Sequence, residues 1–178
     1  LSGDVKPGQR VLIYDDNASH AGLVAAEMLA ENGSDVEIFT PERFFAADIG
    51  GLNHAGYAEK FAEFGVRITI NSRLIGVSRK GNQLSACVGS DYAERTEDRE
   101  VDQVIVEHGT LPLDDLYFTL KPASTNLGAV DYIALKHGKP QKINTNKDGA
   151  FQLFRIGDAV SSRIVHAAIY DALRLVKD

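Results

Sequence analysis

Cysteine is nearly missing: Cys87 is the one thiol among 178 residues. A lone thiol excludes an internal disulfide and a cysteine-ligated metal cluster within this chain, and a reducing, cytoplasmic setting is the expectation that follows. Long apolar runs are missing as well. The uncharged apolar stretches extend over only a few residues, far short of the ~20 that a membrane-spanning helix needs, so no membrane association is expected. No basic segment followed by an apolar one opens the chain, so no secretory signal is read there. The first residues are Leu-Ser-Gly without an initiator methionine, which points to a processed product or a piece of a larger polypeptide. Basic charge is in deficit, with 19 Lys and Arg against 25 Asp and Glu and a formal charge of −6. The basic side chains are dispersed, which argues against a nucleic-acid surface, whose affinity comes from clustered phosphate contacts. Biased tracts are absent, and 44% hydrophobic content suits a folded globular chain.

Familiar catalytic signatures are lacking too. Gly-x-Ser-x-Gly, the strained elbow of a serine nucleophile, does not occur. His20, His54, His108, His137 and His166 share no metal-ligand spacing and read as ordinary surface or half-buried histidines. Cys87 alternates with Leu84, Ala86 and Val88 in an expected strand and reads as a small buried apolar residue rather than a nucleophile.

The chain does contain a strand–helix–strand opening. Residues 10–14 (RVLIY) form a short apolar run that suits a strand buried on both faces. A polar loop over residues 15–20 leads into 21–32, rich in helix formers, and Gly33 stands where a helix end favours a left-handed residue. Residues 35–39 (DVEIF) then alternate as a strand until Pro41 stops it. Two strands joined by a helix within about thirty residues make a βαβ unit, whose right-handed crossover places the strands parallel. A second helix over 54–64, closed by Gly65, and a third parallel strand over 66–70 are expected next. Residues 73–79, 83–90 and 92–95 read as short strands of antiparallel hairpins. The mixed-charge run over 94–100 reads as a solvated hairpin or loop. A buried strand returns over 101–106. Residues 113–120 suit one or two helical turns, breakers at Pro122, Gly128, Gly138 and Pro140 leave the following stretch as loops, and 144–149 is a polar connector. The tail is read as a strand over 151–156, a loop over 157–162 and a helix over 163–177. Val165, Ala168, Ile169, Ala172 and Val176 form the stripe that helix is expected to bury. Phe44 and Phe45, beside Gly50 and Gly51, suit either the core or contact with a neighbouring domain.

The first strand–helix turn is the place to look for a diphosphate cradle. Such cradles use Gly-x-Gly-x-x-Gly: one glycine for the turn, one for backbone approach to phosphate, one for helix packing. Counting back from Gly33 puts Gly22 at the third glycine, with Asn17 and Ser19 at the other two. Asp15 and Asp16 bring negative charge to a helix start that would otherwise attract anions. The second strand ends in Phe39 and Thr40 instead of the acidic residue that holds an adenosine ribose. These two losses together predict a degenerate site that does not take a dinucleotide by the usual mode. The alternative is a rebuilt NAD(P) pocket in which Asn17 and Ser19 donate side-chain hydrogen bonds.

Five segments, two of them overlapping, carry a resemblance. VIVEHGTLP over 104–112 and FRIGDA over 154–159 resemble strand-end motifs in the nucleotide-binding halves of flavoprotein reductases. The loop YDDNASHAG over 14–22, NLGAVD over 126–131 and IGDAVSSRIVHAAIYDALR over 156–174 are similar to the C-terminal part of the trimethylamine dehydrogenase and 2,4-dienoyl-CoA reductase branch of the old yellow enzyme superfamily. Members there are known as NADH:flavin oxidoreductases or amine demethylases, and the likeness covers nearly the whole chain.

The resemblance implies an α/β, Rossmann-like three-layer domain with a parallel sheet and an antiparallel β-meander. It implies that residues 1–148 are an NAD(P)-binding-like domain inserted in an FAD-like one, and that 149–178 return to complete the latter. The parent would carry FMN and a 4Fe-4S cluster on an N-terminal TIM barrel, with FAD or ADP and NAD(P)H as further candidates. Its partners would be that barrel, the FAD-like domain and an electron-transfer flavoprotein, and the present portion would be catalytically silent alone. Gly157 and Asp158 match the family's strand-end pair, in which glycine lets the backbone pass closely and the acid bonds a ribityl or nucleotide-sugar hydroxyl. A plain turn-capping role for Asp158 is the competing reading. For His166, one turn into the last helix, a place beside a flavin edge in the full protein is the alternative to an ordinary histidine.

Overall fold

The computed structural model describes residues 4–176. The chain divides into two compact units, Leu1–Gly109 and Thr110–Asp178.

The first unit is an α/β sandwich. Strand β1 (Arg10–Asp15) leads through α1 (His20–Glu31) to β2 (Asp35–Phe39), and α2 (Gly51–Phe64) leads to β3 (Arg67–Thr69). An antiparallel meander of β4 (Arg73–Lys80), β5 (Gln83–Ser90) and β6 (Ala93–Val101) follows, and β7 (Gln103–Glu107) returns beside β1. The parallel sheet has the order β3-β2-β1-β7, and the meander has the order β4-β5-β6. Alternation along β1 explains the layering. Val11 and Ile13 pack with Leu23, Ala26, Val36, Ile38 and Phe61 under the two helices. Leu12 and Tyr14 point the other way, onto Phe39 and the meander residues Ala86, Val88 and Val101. The central strands β1 and β2 are therefore buried on both faces, as their near-continuous apolar sequences require. The edge strands are more open: β7, expected as a buried strand, is half-buried with Val106 exposed, and β3 exposes Arg67 and Ile68. Each fully buried Leu, Ile or Phe contributes about 1.5–3 kcal/mol to that arrangement. Gly33 (φ +89°) and Gly65 (φ +70°) end the two helices in the left-handed region.

Some boundaries differ from the sequence reading. The second helix begins at Gly51 rather than at residue 54, because Gly50 takes the N-cap position in extended backbone. The charged run over 94–100 lies inside the nine-residue strand β6, where Arg95 and Arg99 both pair with Glu97. Val101 closes that strand instead of opening β7. The break falls at Asp102, whose carboxylate accepts the Arg10 N–H at 2.8 Å and so ties the turn to the start of β1. Cys87 is half-buried and faces away from the core pair Ala86 and Val88.

The second unit contains the short helices α3 (Asp115–Leu120) and α4 (Tyr132–Lys136), 3-10 turns at Lys121–Ala123 and Gly157–Ala159, and α5 (Val165–Leu175). The strand expected over 151–156 is reduced to one parallel bridge, Ser124 with Phe151. The backbone bonds there run to a side chain in place of a ladder: Leu153 N–H donates to Asn126 Oδ1 at 2.9 Å. The stripe expected to be buried on α5 also differs. Ala168 and Ala172 are half-buried, whereas Val165, Ile169 and Val176 are 67%, 54% and 74% exposed. A helix face of this kind needs a second surface, and the described residues leave these three side chains open to solvent. Residues 110–148, grouped with the first domain in the sequence reading, fold into the second unit. Thr125 N–H donates to Phe151 O at 2.8 Å and Ala150 N–H to Ala123 O at 3.1 Å, which joins that stretch to the tail.

Candidate functional site

The parallel sheet reverses its direction of growth between β1 and β7, since the chain crosses to β2 on one side and returns to β7 on the other. Open parallel sheets bind ligands in the crevice beyond the strand C-termini at that switch point. Here it is formed by residues 15–22 and 107–109.

Asp15 ends β1 and is 2% exposed. Its Oδ1 accepts the N–H groups of Asn17 at 3.2 Å and Ala18 at 2.9 Å. Ala18 takes φ +51°, so successive amides curl around the carboxylate as they do around a bound anion. Burial raises the Asp15 pKa against the pull of those two amides, and the charges of Glu107 and Asp16 add to the rise. Gly22 is buried against the same side chain: a Cβ at this position would lie 2.9 Å from Asp15 Cγ and 3.0 Å from Oδ2. The third-glycine position thus serves close packing with a carboxylate.

Asn17 and Ser19 are brought together, facing one another. Asn17 Nδ2 donates to Ser19 Oγ at 2.8 Å and to Glu107 Oε1 at 3.2 Å. Glu107 Oε1 also accepts the Gly109 N–H at 2.9 Å, and His108 Nδ1 lies 2.6 Å from Asp16 Oδ2. Burial, and after it the charge of Asp16, raises the Tyr14 phenol above its ordinary value. Glu107 and His108 were missed as members of this cluster by sequence reasoning. They lie some ninety residues from the loop, and only the β1–β7 pairing brings Asp15 opposite Glu107. At the end of β2, Thr40 is buried, its Oγ1 accepts the Glu42 N–H at 3.2 Å, and its backbone is tied to Thr69 and Ser72.

A diphosphate fits this crevice poorly. The amides that would receive it already hold Asp15, and three carboxylates stand within the same loop cluster.

The second expected site lies in the other unit. Gly157 is buried at φ +55°, and a Cβ there would come 2.8 Å from Ala168 Cβ, so glycine is required for both conformation and space. Asp158 follows, exposed, with Oδ1 accepting the Arg163 N–H at 3.3 Å. The Arg163 bond is what a turn-capping role for Asp158 would give, and an exposed carboxylate is also chemically able to accept a sugar hydroxyl. Beside it, a groove of about 230 Å³ is lined in part by Tyr117, Leu153, Arg155 and Ile156. Arg155 pairs with Asp114 and lies 4.9 Å from the Tyr117 ring centroid.

Among the described residues no group of three or more His, Cys, Asp or Glu is arranged to hold a metal ion. Among them, too, no helix is long and apolar enough to cross a membrane.

No protein-family model matches the chain. Across its full length it is 52% identical to a probable N-methylproline demethylase of Rhizobium meliloti, of which it covers 26%. It is 42% identical, again over all of its own length and 26% of the relative, to an N,N-dimethylglycine/sarcosine dehydrogenase of Chromohalobacter salexigens. The chain spans about a quarter of the length of these curated relatives. The fold matches that of histamine dehydrogenase from Rhizobium sp. 4-9, with a TM-score of 0.66 at 19% identity, over 97% of this chain and 24% of that one. These relatives bear the names of a demethylase and a dehydrogenase, in agreement with the amine-oxidising side of the resemblance in the sequence.

Proposed function

We propose that this chain is the C-terminal, dinucleotide-binding-like part of an FMN-dependent oxidoreductase acting on N-methylated amino acids. Support for the substrate class comes from the names of the two curated relatives, which share a methyl group on an amino-acid nitrogen. FMN, together with a 4Fe-4S cluster, would supply the two-electron oxidation of the amine in the remainder of the polypeptide, within the cytoplasm. The chain's own residues contribute no reacting group in this reading. The first unit is a scaffold whose nucleotide crevice is closed, and it faces an electron acceptor such as an electron-transfer flavoprotein. In the second unit, Gly157 and Asp158 complete an FAD-like domain begun upstream, and Asp158 accepts a hydroxyl of FAD or ADP.

The observation that carries the scaffold reading is the Asp15 carboxylate held by the Asn17 and Ala18 amides at 3.2 and 2.9 Å. Where a protein places its own anion in the cradle, a pyrophosphate must displace a buried charge before it can bind. Titration calorimetry of the chain with NADH, NADPH and ADP tests this. No heat of binding is expected from either reduced coenzyme, and low-micromolar affinity for one of them would restore a hydride-delivering NAD(P)H domain. Tight ADP binding at residues 15–22 would make the first unit an adenine-nucleotide module instead.

A further inference from the structure

The turn Gly157–Ala159 is held from α5. Asp171 Oδ2 accepts the buried Gly157 N–H at 3.2 Å, and the same oxygen pairs with the Arg163 guanidinium. Arg163 in turn gives its backbone N–H to Asp158 Oδ1 at 3.3 Å. One carboxylate oxygen therefore ties together the residue before Asp158 and the residue that caps Asp158. The seat is tight, because Gly157 rests against Ala168 with no space for a methyl group. The bond from Arg163, with that from the Gly157 amide, holds the Asp171 carboxyl below its usual range, so the clamp is charged at neutral pH.

We infer that Asp171 is a positioning residue: through Gly157 and Arg163 it fixes the direction in which Asp158 offers its carboxylate to a vicinal-diol sugar, the ribose or ribityl part of a nucleotide. The inference rests on the proposed sugar-binding role of Asp158. It adds a residue that has no reason to touch the nucleotide. Without the clamp the turn keeps its sequence and its glycine, and the aim of Asp158 is lost.

A double-mutant cycle in the full-length parent protein tests the idea. Dissociation constants for ADP and FAD are measured for wild type, Asp171→Asn, Asp158→Asn and the double variant, alongside thermal midpoints and hydrogen exchange at the Gly157 amide. Asp171→Asn is expected to weaken nucleotide binding by about tenfold, the scale of one lost hydrogen bond to a charged group. Asparagine keeps an oxygen for the Gly157 amide but loses the charge that pairs with Arg163, so that amide is expected to exchange modestly faster while the amides of α5 do not. The double variant is expected to bind no more weakly than Asp158→Asn alone, because the clamp acts only through Asp158. A merely structural role would instead lower the thermal midpoint, speed exchange along α5, and add its loss to that of Asp158→Asn, which overturns the inference. If Asp158→Asn weakens binding and Asp171→Asn does not, the inference fails and the sugar-binding reading stands. If Asp158→Asn leaves both affinities unchanged, the sugar-binding reading fails and the positioning role falls with it.

Discussion

A carboxylate that is 2% exposed must find its stabilisation locally, and Asp15 finds it in two backbone N–H groups. That is enough to seat it but not to offset its burial, since its pKa is raised, with Glu107 and Asp16 adding repulsion. The direction of the shift fixes the pH dependence. A carboxyl with a folded-state pKa above its unfolded value binds its proton more tightly in the folded protein. Its contribution to stability is present below the unfolded value of about 3.9 and is lost as pH rises through the folded value. Asp15→Asn keeps an oxygen for the Asn17 and Ala18 amides and removes the charge. Chemical denaturation at a series of pH values should find the variant more stable than wild type by about 1 kcal/mol at pH 8, with the gain vanishing below about pH 4. A loss of stability at pH 8 would mean that the charge is held by more than these two amides.

At the scale of elements, legibility followed periodicity. The strands β1 and β2, the helix between them and the left-handed Gly33 and Gly65 were readable because apolar spacing and a glycine at the helix end are local signals. The loop residues Asn17, Ser19 and Gly22 were readable as positions, yet what they do depends on Glu107, which reaches them only through strand pairing. The tail misled for a related reason. Residues 151–156 have the composition of a strand, but a strand is a pairing, and the described residues supply one bridge and one side chain, Asn126. Asn126 is 1% exposed; its Nδ2 donates to Ala129 O at 2.9 Å and Leu153 O at 2.8 Å, and its Oδ1 takes the Leu153 N–H. One side chain thus does the work of two ladder rungs. Asn126→Ala leaves a donor and two carbonyls without these partners, and should cost about 2–4 kcal/mol in the second unit. Hydrogen exchange at the Leu153 amide is the direct check. Exchange there as slow as in wild type would show that backbone partners, not Asn126, hold this segment.

For the whole molecule, the distribution of apolar surface is uneven in a way that composition could not reveal. The first unit buries both faces of its central strands β1 and β2 under helices and meander. In the second unit α5 leaves Val165, Ile169 and Leu173, spaced four residues apart on one face, 67%, 54% and 64% exposed. A contiguous row of that kind is the mark of a surface that meets something, and the chain spans only about a quarter of its curated relatives. If the row is the seam with the upstream FAD-like domain, its energetic role differs between the chain and the parent. Ile169→Glu with Leu173→Glu should change the stability of the 178-residue chain by no more than about 0.5 kcal/mol per site, as for ordinary exposed positions. In the full-length parent the same pair should cost more than about 2 kcal/mol, because two charges would then be buried without partners. Equal and small effects in both proteins would show that the face stays in water in the parent too and is not the seam.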